Sequence, residues 1–331
     1  MVSIGKHFPS LMSMGAAFET RLSNPNPQLD LFFAIEKKNR SVLNSLHQGS
    51  GLDPDLFTHP VWQQIRVLFN AWTVSGSDLD SFVNQVFLEF DLDGMSPEIP
   101  VPAVFMQISD RFYLKDPDHP QNGFKDADNL KTEWIFEALS TLKNSPISTG
   151  ALTNTRRCFE NLLPGTYIDH IAIMASRTPD AIRINVTGLD LEQLCCYLES
   201  IGLGSRTSQL RDVLPSLYSL VDHLVLAIDI SDAFSPRIGI ELRFPRGEHS
   251  IYNETKWDLL LDKLVSLGLC IEEKKAGLVE WGGKSRELFD PELCRFMIFR
   301  YLDLIKLIFQ PDQPPAAKAY FSFIIHPFRS P

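Results

Sequence analysis

His223-Leu-Val-Leu-Ala-Ile-Asp-Ile230, the connection Ser231-Asp-Ala-Phe-Ser-Pro236 and the return run Arg237-Ile-Gly-Ile-Glu-Leu-Arg-Phe244 decide the fold. Successive residues of a β-strand point to opposite faces. Leu224, Leu226, Ile228 and Ile230 therefore share one face, with His223 and Asp229 on the other. In the return run Ile238, Ile240 and Leu242 oppose Gly239, Glu241 and Arg243. The pair reads as a β-hairpin with one apolar and one polar face.

The same pattern recurs on both sides. Val86–Leu92 and Val101–Ile108 set Leu88, Phe90, Val104 and Met106 against Glu89, Asp91 and Gln107. His170–Ser176 and Ala181–Thr187 set Ile182, Ile184 and Val186 against Arg183, Asn185 and Thr187. Leu304–Phe309 and Ala317–Phe323 set Ile305, Leu307, Phe309, Ala319, Phe321 and Phe323 against Lys306, Lys318, Tyr320 and Ser322. Helical spacing falls between the hairpins, over 131–143, 151–162, 191–201, 207–219 and 256–267, with Gly202 and Gly268 as stops. Leu278-Val-Glu-Trp281 reads as a lone strand. This is a repeat of architecture rather than of letters. The fold class is α+β, antiparallel β-hairpins alternating with helices. Residues 1–85 read as a helical segment packed on the sheet, and 86–331 as one continuous hairpin–helix domain.

The helices cover the apolar face. The polar face then meets either open water on an open sheet or the lumen of a closed barrel ringed by helices. Charge type favours closure. Arg183, Arg243, Lys306 and Lys318 lie on polar faces, among Glu89, Asp91, Asp229 and Glu241. Four converging cations suit a phosphorylated ligand.

The chain of 331 residues carries a net charge of -10, which argues against a nucleic-acid backbone as partner. No apolar run approaches the ~18–20 residues of a membrane span. With no signal peptide read at the start and five widely spaced cysteines without a CxxC, a cytoplasmic protein with reduced thiols is expected. The eight histidines show no ligand spacing, so no structural zinc is expected. Asp116, Asp118, Asp126 and Asp128 lack the spacing of an EF-hand and read as a solvated acidic loop. His170 and His223 read as the first residues of their strands, with a base or phosphate role set against that of a satisfied strand end. Phosphate-loop, dinucleotide, GxSxG and HExxH motifs are absent.

Residues 170–244, with Ile182-Arg-Ile-Asn-Val-Thr-Gly188, Leu191-Glu-Gln-Leu-Cys-Cys-Tyr-Leu198 and His223–Ile230, resemble the ABBA-type aromatic prenyltransferases. Phe87-Leu-Glu-Phe-Asp-Leu92 with Ile99-Pro-Val-Pro102 resembles an early hairpin of the smaller bacterial members. Ala317-Lys-Ala-Tyr-Phe321 is similar to the Lys-x-Tyr strand of the indole-prenylating branch. The likeness extends over 85–325 and implies a helix-ringed antiparallel barrel. It implies transfer of a prenyl group from an allylic diphosphate to an aromatic or peptide acceptor. Arg183, Arg243, Lys306 and Lys318 would bind the diphosphate. Tyr320 would face the allylic cation. Glu89 or Asp91 would orient the acceptor and take its proton, with Asn185, Asp229 and Glu241 also orienting substrate. No metal is required, and Mg2+ accompanying the diphosphate stays open. The chain departs from the family pattern at Arg183-x-Asn185 and Lys306-x-Ile308, where Tyr is absent, and in showing four hairpins rather than five. The alternative is a non-catalytic peptide- or ligand-binding or maturation protein that uses the same sheet.

Overall fold

The computed structural model describes residues 7, 8, 11, 15–26, 28–43, 53–92, 99–109, 112, 113, 132–176, 181–244, 256–290 and 294–328. Ten antiparallel strands close on themselves into a barrel, and an eleventh adds to one of them. They are β1 (Gly15–Arg21), β2 (Asp30–Glu36), β3 (Val83–Phe90), β4 (Ala103–Ile108), β5 (Tyr167–Ile173), β6 (Ile182–Leu189), β7 (His223–Ile230), β8 (Phe234–Arg243), β9 (Gly283–Asp290), β10 (Cys294–Phe309) and β11 (Ala316–Phe328). Neighbours in sequence pair from β1 to β8, β8 pairs β10, β10 pairs β11, and β11 returns to β1. β9 runs beside the first half of β10 and is not part of the ring. The seam between β11 and β1 extends from Gly15↔Ile324 to Arg21↔Lys318. Closure leaves these ten strands without open sheet edges.

The helices are α1 (Pro60–Thr73), α2 (Asp78–Phe82), α3 (Glu133–Lys143), α4 (Thr149–Glu160), α5 (Leu191–Ser200), α6 (Thr207–Val213), α7 (Pro215–Tyr218), α8 (Lys256–Ser266) and α9 (Glu272–Trp281). Their starts follow from local chemistry. Ser77 caps α2 by accepting from the Asp80 amide, and Asp190 with Gln193 forms a capping box at α5. The outward strand residues Ile184, Ile228, Ile240 and Ile305 are fully buried in one core with Leu194, Leu198 and Leu264 of the helices. Each such side chain contributes about 1.5–3 kcal/mol, so this shell is the main source of stability. None of the described helices is long and apolar enough to cross a membrane.

Three expectations are corrected. Residues 1–85 are not wholly helical: β1 and β2 lie there and supply the fifth hairpin, and β3 crosses the expected boundary at 85. The reason is composition. In Asp30-Leu-Phe-Phe-Ala-Ile-Glu36 the outward Leu31, Phe33 and Ile35 are fully buried, while the inward positions include Phe32 and Ala34, so the polar–apolar alternation is lost. Leu278–Trp281 closes α9 instead of forming a strand. β10 begins at Cys294, well before Leu304. Asp116, Asp118, Asp126 and Asp128 lie outside the described residues.

Candidate functional site in the barrel lumen

Strand parity places every second residue inside the barrel, and the lumen has two unlike walls. Ala103 and Phe105 of β4, Ala172 of β5 and Met174 just after it form a small buried cluster, with Phe87 of β3 packed against it. On β6–β8, β10, β11 and β1 the inward residues include the charged Arg183, Asp229, Arg237, Glu241, Arg243, Lys306, Lys318 and Glu19. In the sequence the first hairpin reads with Glu89, Asp91 and Gln107 on its polar face. In the structure Phe87 and Phe105 accompany Glu89 and Gln107 there.

The charged wall is built from cross-strand neighbours. Lys306 stands between Lys318 on β11 and Glu241 on β8. Arg183 stands opposite Asp229 and donates to it through Nε at 2.6 Å and Nη2 at 2.8 Å. Arg183, Lys306 and Lys318 line one pocket with Arg237, Glu19, Asp229 and Tyr320. Three of the four expected cations therefore converge. Arg243 lies in the adjoining central pocket, which it shares with Glu89, Asn185, Glu241, His170 and Tyr320.

Each of the four expected cations has an acidic partner. Lys306 Nζ lies 3.2 Å from Glu241 Oε1, Arg243 Nε donates to Glu241 Oε2 at 3.0 Å, and Asn185 Nδ2 donates to Glu241 Oε1 at 3.3 Å. Burial pushes the Glu241 carboxyl up, but Arg243 and Lys306 outweigh it and hold the group at about 2. Burial lowers the pKa of Lys306, against the pull of Glu241. Lys318 and Tyr320 both donate to Glu19, and the Tyr320 ring lies 5.8 Å from Phe32. Across from Glu19 stands Asp30. Burial, reinforced by the Glu19 charge, raises Asp30 to about 7 although it accepts from the Leu92 amide at 2.8 Å.

Asp91 is the expected site residue that the structure leaves out of both pockets. It follows the end of β3 and accepts from Ser176 Oγ at 2.9 Å. Sequence reading misses Glu19, Asp30, Arg237 and Asp169 as site residues, while His170 is weighed there between a base or phosphate role and a satisfied strand end. Glu19 and Asp30 fall in the segment read as helical. The alternation in Gly15-Ala-Ala-Phe-Glu-Thr-Arg21 was the available signal, because its inward Ala17 and Glu19 oppose outward Phe18. His170 does not begin its strand; β5 starts at Tyr167, and His170 is buried inside the lumen. His223 does begin β7 and is exposed. Among the described residues no three His, Cys, Asp or Glu converge to ligate a metal.

Small residues make the room at the cation pocket. A Cβ on Gly239 would stand 2.6 Å from Lys306 Cε and 3.4 Å from Ala227 Cβ. Gly239 lets the Lys306 stem lie across β8 to Glu241. Gly239→Val is expected to overpack this point and cost about 1–3 kcal/mol, read as a lower urea midpoint at unchanged m-value.

No family model matches the chain, and no curated protein is similar to it in sequence. Solved structures do match. The apo form of the prenyltransferase PriB superposes with a TM-score of 0.53 at 12% identity, over 96% of this chain and 82% of PriB. AnaPT from Neosartorya fischeri superposes with a TM-score of 0.49 at 14% identity, over 95% of this chain and 78% of AnaPT. The chain thus has the fold of the ABBA prenyltransferase barrel, closed, antiparallel and covered by helices.

Proposed function

We propose that this protein binds an allylic diphosphate in its lumen and transfers the prenyl group to an aromatic or peptide acceptor. The observation that carries the proposal is the shared pocket of Arg183, Arg237, Lys306 and Lys318 beside Tyr320, with the apolar wall of Phe87 and Phe105 across the lumen. An amphiphilic anion matches both walls at once. Lys306, Lys318 and Arg183 bind the diphosphate and stabilise it as it leaves with the electrons of the allylic C–O bond. Tyr320 and Phe32 present ring faces to the cation that remains. Glu89 lies on the acceptor side. Arg243 holds Glu241, and Asp91 takes no part. Asp229, Glu241 and Glu19 fix the cations in position, and the diphosphate competes with these acids for them. Mg2+ carried in with the diphosphate would ease that competition by neutralising part of its charge.

The acid paired with each of these cations favours one second reading, a non-catalytic protein that holds a peptide or other ligand in the same lumen. One experiment separates the two. Dimethylallyl, geranyl and farnesyl diphosphate are added during thermal unfolding, with and without Mg2+. Stabilisation of about 2.7 kcal/mol is expected at one hundred times Kd, and Lys318→Ala should lose most of it. If no allylic diphosphate stabilises the wild type, the transferase reading is rejected.

A further inference from the structure

β5 carries a bulge between Ile168 and His170 in its pairing with β6. Asp169 is the residue the bulge inserts. Without it, alternation would send Asp169 and His170 to opposite faces. With it, both lie at the lumen: His170 lines the central pocket, and Asp169 accepts from inward-facing Gln107 at 3.2 Å. Bulges beside active sites re-aim side chains in this way.

Asp169 Oδ2 lies 2.9 Å from His170 Nδ1. The contact has the distance of a hydrogen bond without its alignment, since Nδ1 meets no acceptor at hydrogen-bond angles. Such contacts tighten when substrate binds. With Nδ1–H assigned toward Asp169, Nε2 is left as the nitrogen that can take a proton. Burial raises the Asp169 carboxyl, but His170, Arg243 and Gln107 outweigh it and hold the group at about 2. Phe87 meets the ring edge-on with centroids 5.2 Å apart, Glu241 lies across the lumen, and Glu89, Arg243, Asp303 and Tyr320 line the same pocket as the ring.

A second observation points to a ligand at the same place. Asn185 stands directly opposite His170 in the β5–β6 ladder and is 5% exposed. Its Nδ2 donates to Glu241, while its Oδ1 is buried with no partner. A buried acceptor left alone costs about 1–3 kcal/mol, and an acceptor molecule bearing N–H or O–H would satisfy it.

We infer that His170, oriented by Asp169, is the general base of the transfer, and that Asn185 Oδ1 positions an N–H- or O–H-bearing aromatic acceptor beside it. This rests on the prenyl-transfer reading above. The allylic C–O bond breaks, and its electron pair leaves with the diphosphate. A ring carbon of the acceptor forms the new C–C bond with the allylic carbon. The proton on that ring carbon passes to Nε2 of His170, and the C–H electron pair restores the aromatic ring. Asp169 stabilises the imidazolium, which hands its proton to the released diphosphate. His170 is a catalytic residue in this scheme; Asp169 is a positioning residue.

The test uses dimethylallyl diphosphate as donor, with indole and 1-naphthol as acceptor probes, and follows two products. Prenylated acceptor reports the whole reaction, and the allylic alcohol from solvolysis reports ionisation alone. His170→Ala is expected to lower acceptor prenylation at least about 100-fold, to leave solvolysis within about twofold, and to regain transfer with added imidazole. Asp169→Asn should lower kcat at unchanged KM and move the acid limb of the pH profile to lower pH, because the imidazolium loses its carboxylate. Wild-type transfer that persists at the same rate in a folded His170→Gln protein would overturn the dyad alone. A wild type that neither solvolyses nor transfers the donor would overturn the prenyl-transfer reading, and the dyad's role with it.

Discussion

Glu241→Ala is expected to destabilise the barrel by about 3–5 kcal/mol, the cost of stranding buried charge. Glu241 is 4% exposed, and Lys306 is 6% exposed. One carboxylate serves Lys306, Arg243 and Asn185, so its loss leaves two cations facing each other without an anion between them. The pH dependence follows from the depressed carboxyl. The stabilisation is present in full above the ordinary carboxylate range and disappears as pH falls toward 2. The gap between wild type and Glu241→Ala should therefore be widest near neutrality and close in acid. Urea unfolding at three pH values measures it. Inorganic diphosphate should stabilise the variant more than the wild type, because the anion then has no carboxylate to displace.

Trp62→Ala is expected to cost about 3–5 kcal/mol and to act from outside the barrel. Trp62 of α1 is fully buried. It stacks on Phe90 of β3 at 6.3 Å and meets Phe8 at 5.5 Å. Its Nε1 donates to the Pro100 carbonyl at 2.8 Å, and that acceptor would lose its partner. The large effect would show that α1 belongs to the same cooperative unit as the strands. An unfolding free energy from urea titration within about 0.5 kcal/mol of wild type would contradict this, since surface substitutions fall in that range.

Legibility from sequence followed the polarity of the lumen. β7 and β8 were readable because Asp229, Glu241 and Arg243 interrupt an Ile/Leu face at every second residue. β2 was not, because Phe32 and Ala34 face inward and look like core. The cations Arg183, Lys306 and Lys318 were legible by parity alone, and parity placed them on one side of one sheet. Closure was suggested by the recurring cations and by the family resemblance, but its seam was not legible: the pairing of β1 with β11 joins residues about 300 positions apart, and no local pattern encodes it. The partners were equally hidden. That Glu19 serves Lys318 and Tyr320 follows from the seam. That Asp169 joins His170 follows from one inserted residue, which strict alternation assigns to the wrong face.

The seam also sets a schedule for biogenesis. Gly15 must wait for Ile324 to leave the ribosome before it finds its partner. At ordinary translation speeds of about 5–20 residues per second, that interval is roughly 15–60 s. During it, β1 can pair with β2 along one side while the other side is an open template for strand addition. The late β10–β11 hairpin is the one that removes the template, so the nascent chain is at its most adhesive shortly before the barrel can shut.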